Sequence, residues 1–358
     1  MTEFEQRRRT AADRLAGAKI EALLVSSPAN VRYLSGYSGS NGLMLLTGDG
    51  EWFFTDPRYG TEASANITCK VQVCKGPLIK AAAGMAKRKK LKKIGVEPSW
   101  LHLGEYNEFL KALGAGVELQ PVASLVEELR AVKSPDEIAK IRHSVRVNSE
   151  AFSRTMNRIR PGARENEIAA ELDFQMRILG AEGNAFDTIV AAGPRSALPH
   201  AHPTKHALGE KELVLIDIGA MVEGYASDMT RVAYIGTPPK RIREIYKAVA
   251  EAQLAALDAV RSGVPVYKVD AAARRVLKDQ GLDKEFVHST GHGLGLEIHE
   301  APKIGKKEKT RLQAGMVITI EPGAYVTGLA GVRIEDTVLV TERGCQIITQ
   351  TPKKLFPL

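Results

Sequence analysis

Four carboxylates stand inside runs that otherwise read as buried strand: Asp217 in Leu213-Val-Leu-Ile-Asp-Ile-Gly219, Asp228 in Tyr225-Ala-Ser-Asp-Met-Thr-Arg231, Glu321 in Val317-Ile-Thr-Ile-Glu-Pro-Gly323, and Glu335 in Val332-Arg-Ile-Glu-Asp336. A carboxylate in apolar surroundings is costly unless something pairs with it. Few basic residues neighbour these four, so a cation is the natural common partner. Histidines in Gly291-His-Gly-Leu-Gly-Leu-Glu-Ile-His299 extend the set toward a metal-dependent hydrolase.

The acids also organise the chain. Asp217 and Glu321 are 104 residues apart, and Asp228 and Glu335 are 107 apart. Between them the order helix, helix, strands recurs: helices from near 135 and 165, then strands over 213–235; helices near 239–260 and 266–280, then strands at 316–321 and 332–340. Two halves related by a pseudo-twofold would bring both acidic hairpins to one axis. In the first hairpin, Asp217 and Asp228 are equidistant from a turn centred on Val222-Glu223. That register would set them opposite each other, with Cβ atoms about 4.5–5.5 Å apart. Glu321 and Glu335 flank a longer loop centred on Gly328.

Ser134, Pro135 and Glu137 fit the N-cap, first position and return arm of a capping box. The helix they start should run to about Arg158, and the helix from about 165, with Ile168, Leu172, Met176 and Leu179 on one face, should end at Gly180. Upstream, Ala22–Val25, Gly42–Thr47, Glu51–Thr55 and Lys93–Val96 read as strands of a smaller α/β domain. We therefore expect an N-terminal domain over 1–127 and a catalytic domain over 128–358.

A length of 358 residues suits two domains, and 50 basic against 42 acidic residues leaves a formal charge of +8. Part of that charge lies in Lys87-Arg-Lys-Lys-Leu-Lys-Lys93, which lacks aromatic interleaving and reads as a solvated helix end, not a nucleic-acid contact. There is no apolar run of membrane-spanning length, and Cys69, Cys74 and Cys345 have no zinc-finger spacing. A cytoplasmic protein without nucleic-acid or membrane partners is the expectation. The Gly36 to Gly42 stretch lacks the Lys-Ser/Thr ending of a phosphate loop and reads as a turn.

Taken together, Ile216-Asp-Ile-Gly219, Ser227-Asp-Met-Thr-Arg231, Thr290-Gly-His-Gly-Leu-Gly-Leu-Glu-Ile-His-Glu300, Ile320-Glu-Pro-Gly323 and Gly331-Val-Arg-Ile-Glu-Asp336 resemble the creatinase/prolidase/methionine-aminopeptidase family, the M24 or pita-bread peptidases. Asn30-Val-Arg-Tyr-Leu-Ser-Gly-Tyr-Ser-Gly-Ser-Asn-Gly42 and Phe54-Thr-Asp-Pro-Arg-Tyr59 resemble the creatinase-type N-terminal domain of the Xaa-Pro peptidase branch, with Pro57 where glycine is common. The resemblance implies an α/β creatinase-like domain followed by an α+β pita-bread catalytic domain with pseudo-twofold halves.

It further implies two divalent metal ions, manganese before cobalt or zinc. Asp217 would chelate one, Asp228 and Glu335 would bridge both, and His292 and Glu321 would complete the other site. Glu321 is the implied proton shuttle, and His299 the residue on the scissile carbonyl. His200 would contact the substrate around the scissile bond, His288 would help form the proline pocket, and Arg333 would stand near the substrate's C-terminal side or hold the carboxylate network. His202 reads as loop structure before substrate contact, and His206 as surface. Tyr225, Thr230 and Thr319 are candidates for hydrogen bonds behind the ligands. The family also implies a homodimer in which one subunit's N-terminal domain borders the other's active site.

A substrate with proline in second position has a physical logic. An Xaa-Pro amide has no N–H and restricted torsions, so a site must recognise the free amine, the carbonyl and the ring shape. The N-terminal motifs lean toward an Xaa-Pro aminopeptidase over an Xaa-Pro dipeptidase (prolidase). A non-catalytic binding protein on the same fold is the alternative of another class, and its expected mark, loss of metal ligands, is missing here.

Overall fold

The computed structural model describes residues 1–357. They form two compact units, Met1–Arg130 and the residues from Ala131 onward.

In the first unit a mixed six-stranded sheet has the order Lys70–Val73, Gly50–Thr55, Gly42–Thr47, Ala22–Val25, Lys93–Val96, Glu118–Pro121. The four apolar runs are its centre. The two edge strands went unread because an edge needs no continuous apolar run: Lys70–Val73 is half-exposed, and Glu118–Pro121 buries only Leu119. Helices Leu78–Arg88 and Leu103–Leu113 cover one face and share a core with Leu24, Leu45, Phe54 and Ile94. The Gly36 stretch is a turn: Gly36 ends helix Pro28–Ser35 in the left-handed region, at φ 77°.

The second unit opens with helix Pro135–Thr155, held by the reciprocal bonds of Ser134 and Glu137, and tightens into a 3-10 turn at Met156–Arg158. Helix Glu165–Ile178 packs beside it, with Gly180 at φ 102° just past its end. The second helix pair is Lys240–Ala259 and Val266–Asp279. Each pair accompanies a sheet. Strands Ile189–Ala192, Leu213–Ile218 and Met229–Tyr234 lie in one, with Phe356–Pro357 at its edge. Glu300–Ile304, Gly291–Gly293, Val317–Ile320, Asp336–Val340 and Cys345–Ile347 form the other.

Strand Leu213–Ile218 is buried throughout, which explains its unbroken apolar run. Val214, Ile216 and Ile218 pack with Phe152, Ile168 and Leu172 of the first helix pair. Leu213 and Leu215 face the second pair, packing with Ile245, Val249 and Val269. A period of two puts Asp217 on that same side, at the inner end of the strand.

The first hairpin departs from the expected register. Its turn is Glu223-Gly224, both with positive φ (51° and 78°), as a two-residue I′ turn requires. The centre thus falls one residue later than expected, and Asp217 pairs with Thr230 instead of Asp228. Asp228 remains on the same face, two residues away along the strand. In the second hairpin Ile320 pairs with Asp336 and Gly323 with Arg333, around a turn containing Gly328 at φ 78°. Continuity of that register sets Glu321 opposite Glu335 where the two ladders meet.

Candidate metal centre

Strand ends from both hairpins converge on one cavity of about 570 Å³, lined by Asp217, Asp228, His292, Glu321 and Glu335. One ligand atom each from Asp228, His292 and Glu335 lies within 4.8 Å of the other two. Glu321 joins through His292, its Oε1 being 3.4 Å from Nε2, while Asp228 Oδ2 is 3.5 Å from the same nitrogen. Asp217, Asp228 and Glu335 are all buried.

The donor set fits divalent cations. Asp217 Oδ1 and Glu335 Oε1 are buried without a hydrogen-bond partner, which leaves two carboxylate oxygens bare where a lost interaction is expensive. The imidazole of His292 donates from Nδ1 to the Gly293 carbonyl, 2.9 Å away, so Nε2 turns a lone pair toward the acids. A lone pair facing carboxylate oxygens is repulsive without a positive charge between them. Burial lowers the His292 pKa to about 4, which keeps the ring neutral.

The acids are strained in the same sense. Burial, then the charges of Glu335, Asp217 and Glu321, hold the Asp228 carboxyl well above its ordinary range. Burial, then Glu321 and Asp217, raise Glu335 likewise. Glu321 is pushed to about 8, chiefly by burial, with Arg333 opposing and Asp217 adding. Clustered buried carboxylates hold protons unless cations replace them.

Arg333 braces the cluster. Its Nη2 donates to Asp217 Oδ2, Nε to Thr230 Oγ1 at 2.9 Å, and Nη1 to Tyr325 Oη at 2.6 Å and the Pro199 carbonyl at 3.3 Å. Thr230 passes its own hydrogen to Glu335 Oε2 at 2.8 Å, so one threonine of the first hairpin ties together two residues of the second. These bonds tie Arg333 into the carboxylate cluster. Thr319 also sits behind the ligands, accepting from the His292 amide at 3.1 Å. Tyr225 does not: its hydroxyl bonds Glu137 at the cap of the long helix.

His200, His202, His288 and His299 line the same cavity. The rings of His292 and His299 meet edge-on at 4.4 Å. His288 donates from Nδ1 to the Ser289 carbonyl and accepts from Tyr325 Oη, each at 2.8 Å, so it offers the cavity its ring surface and no free N–H. His206 is exposed and pairs with Glu212. The glycines flanking His292 are required by backbone packing. A Cβ at Gly291 or Gly293 would run into the carbonyl of Thr319 or Ala301 on the neighbouring strand.

Sequence reading missed Tyr325, Asp187 and Lys303. Asp187 and Lys303 line the cavity, and Lys303 is the cross-strand partner of His292. For Lys303 the signal was available: it stands four residues beyond His299 with one strand of alternation between them.

The sequence pattern of metallopeptidase family M24 matches residues 139–342, and that of the creatinase/prolidase N-terminal domain matches residues 7–132. The chain is 37% identical over 337 residues to an Xaa-Pro dipeptidase of Pyrococcus furiosus, covering 94% of this chain and 95% of that one. It superposes on an Xaa-Pro dipeptidase from Bacillus anthracis with a TM-score of 0.97 at 36% identity, covering 99% and 100% of the two chains. An X-Pro aminopeptidase from Thermotoga maritima gives 0.90 at 36% identity, covering 97% and 99%. The chain belongs to metallopeptidase family M24, a creatinase-type α/β domain followed by a pita-bread catalytic domain. It is an enzyme of the class whose named members include these dipeptidases and this aminopeptidase, and membership implies a dinuclear metal site. Among the described residues no helix is long and apolar enough to cross a membrane.

Proposed function

We propose that this chain hydrolyses the bond between an N-terminal residue and proline, with residues 128–358 as the catalytic domain and 1–127 as its N-terminal partner domain. The observation that carries the reading is the cluster of buried carboxylates with bare oxygens on the floor of a peptide-sized cavity. Asp217, Asp228, His292, Glu321 and Glu335 would hold two divalent ions, Asp228 and Glu335 shared between them, with manganese the first choice before cobalt and zinc. When bound, such ions supply Lewis-acid polarisation and neutralise the acids.

The chain's own groups do the rest. Glu321, on the cavity beside His292, is placed to take and return a proton at its carboxylate. His299 reaches the cavity beside His292 and donates to the scissile carbonyl oxygen. His200 contacts the substrate around the same bond. The ring face of His288 gives the proline an apolar wall. Arg333 fixes Asp217, and through Thr230 it fixes Glu335.

Between the two activities, Lys303 favours the dipeptidase. A basic residue among those lining the cavity, it is of the charge that the carboxylate ending an Xaa-Pro dipeptide would need, whereas the N-terminal motifs lean toward the aminopeptidase. The protein acts as a homodimer in the cytoplasm. Turnover of Xaa-Pro against Xaa-Pro-Xaa by manganese-loaded protein is the test. Preferential cleavage of the dipeptide is expected, and equal or better cleavage of the tripeptide would return the reading to aminopeptidase. Peptide binding without turnover of either would leave only a binding protein on this fold.

A further inference from the structure

The loop that carries His200, residues 193–204, leaves the strand Ile189–Ala192 and reaches the cavity with His200 exposed at its far end. Its first five residues, Gly193–Ala197, form a 3-10 turn, but the rest has neither helix nor strand, and ordering such a segment on substrate binding would cost affinity. Here both ends meet one side chain. Glu165, the first residue of helix Glu165–Ile178, is fully buried. Its Oε1 accepts from the Ala192 amide at 2.9 Å, before the loop begins. Its Oε2 accepts from the Thr204 amide at 2.9 Å and the Thr204 hydroxyl at 2.7 Å, where the loop ends. Arg195 Nε spans both oxygens at 3.2 and 3.1 Å, and its Nη2 donates to the His202 carbonyl at 2.8 Å. The amide of Asn166 donates in turn to the Thr204 carbonyl at 3.0 Å.

We propose that Glu165 is a positioning residue: its carboxylate cinches the two ends of the 193–204 loop and thereby presents His200 to the substrate. The middle of the loop is fastened separately. Ser196 Oγ accepts from the Gly331 amide at 2.8 Å, and the Pro199 carbonyl accepts from Arg333. What Glu165 adds is control of the loop's length and direction, which an uncharged residue at the start of that helix would not give. The inference rests on the role proposed above for His200.

A double-mutant cycle tests it. Thr204→Val removes the hydroxyl bond to Glu165, together with the one the hydroxyl accepts from the His206 amide at 3.1 Å, and keeps the side chain's shape, and His200→Ala removes the group being positioned. In manganese-loaded protein, Thr204→Val should lower kcat/KM for Ala-Pro by roughly tenfold with unchanged metal content and little change in Tm. Trypsin should cut it faster after Lys205. In the His200→Ala background Thr204→Val should do nothing further to kcat/KM. Glu165→Gln should give a loss of about a hundredfold, and if it does not fold the Thr204 cycle decides alone. A full, additive Thr204→Val loss in the absence of His200 would overturn the positioning role and leave the proposed reaction standing. Full activity in His200→Ala alone would remove His200 from the reaction, and the positioning role with it.

Discussion

Two buried carboxylate sites in this chain solve the same problem in opposite ways. In the first unit Glu97 accepts from the amides of Ser26 and Ser27 at 2.6 and 2.7 Å, from the Ser26 hydroxyl at 3.2 Å and from Asn30 Nδ2 at 2.6 Å. Both its oxygens are satisfied by the protein, and nothing is left for a ligand. In the second unit Asp217 and Glu335 each keep one buried oxygen bare, beside Asp228 and Glu321, with a single arginine among four acids. Burial alone therefore does not mark a functional acid. The difference is whether the fold supplies donors of its own, because a buried charge without them needs a cation.

The sharpest way to break this contrast is Asp228→Ala. Losing a ligand that two ions would share should abolish the second equivalent of manganese in metal analysis. Xaa-Pro turnover should fall at least about a thousandfold, roughly 4 kcal/mol of transition-state stabilisation. The metal-free variant should melt no lower than the metal-free parent, since an acid repelled by three others has been removed. Retained manganese stoichiometry, or a clear drop in metal-free Tm, would mean that Asp228 is structural like Glu97.

Metal removal sharpens the contrast through pH. Glu321 has a folded value of about 8 against an ordinary 4.5. The folded protein binds the extra proton, so this contribution is complete below pH 4.5 and is lost as pH rises through 8. His288 and His292 act oppositely: burial lowers both to about 4 from 6.5, so their contribution is present above pH 6.5 and lost as pH falls through 4. Between pH 6.5 and 8 the acids dominate, because the histidines are by then at least half neutral in the unfolded chain as well and offset the acids only in part. Metal-stripped protein should lose up to about 2 kcal/mol of stability across that interval, seen as a Tm several degrees lower, and manganese should flatten the slope. A metal-free Tm that rises from pH 6.5 to 8 would contradict the crowding of these acids.

What could be read in the sequence follows the same division. The candidate ligands stood out because a carboxylate within Leu213–Ile218 or beside Val317–Ile320 contradicts its own strand, and the cap at Ser134 because its partners lie within three residues. The first hairpin's phase was not legible: Glu223 adopts a left-handed conformation that its side chain does not advertise, which moved the turn by one residue and the pairing by two. Tyr325 and Glu165 were invisible for another reason. Their partners, His288 and Arg333 for one and Ala192, Arg195 and Thr204 for the other, come together only when separate elements pack. Glu97 stayed hidden because its donors lie about 70 residues upstream, across two parallel strands.

Glu97→Gln should have the smallest effect and a different kind of effect. The amide keeps one oxygen for Ser26 and Ser27 but turns an NH2 toward Asn30 Nδ2, replacing a bond with a donor–donor clash. One lost buried bond and a weakened pair of charge-assisted ones imply a stability loss of about 1–2 kcal/mol. Calorimetry should show this as a lower Tm, while manganese content and Xaa-Pro kcat/KM per folded molecule stay at parental values. A change in metal content here would mean that satisfied and unsatisfied acids in this chain are not separable by their hydrogen bonds, and the assignment of Asp217 and Glu335 as ligands would lose its physical basis.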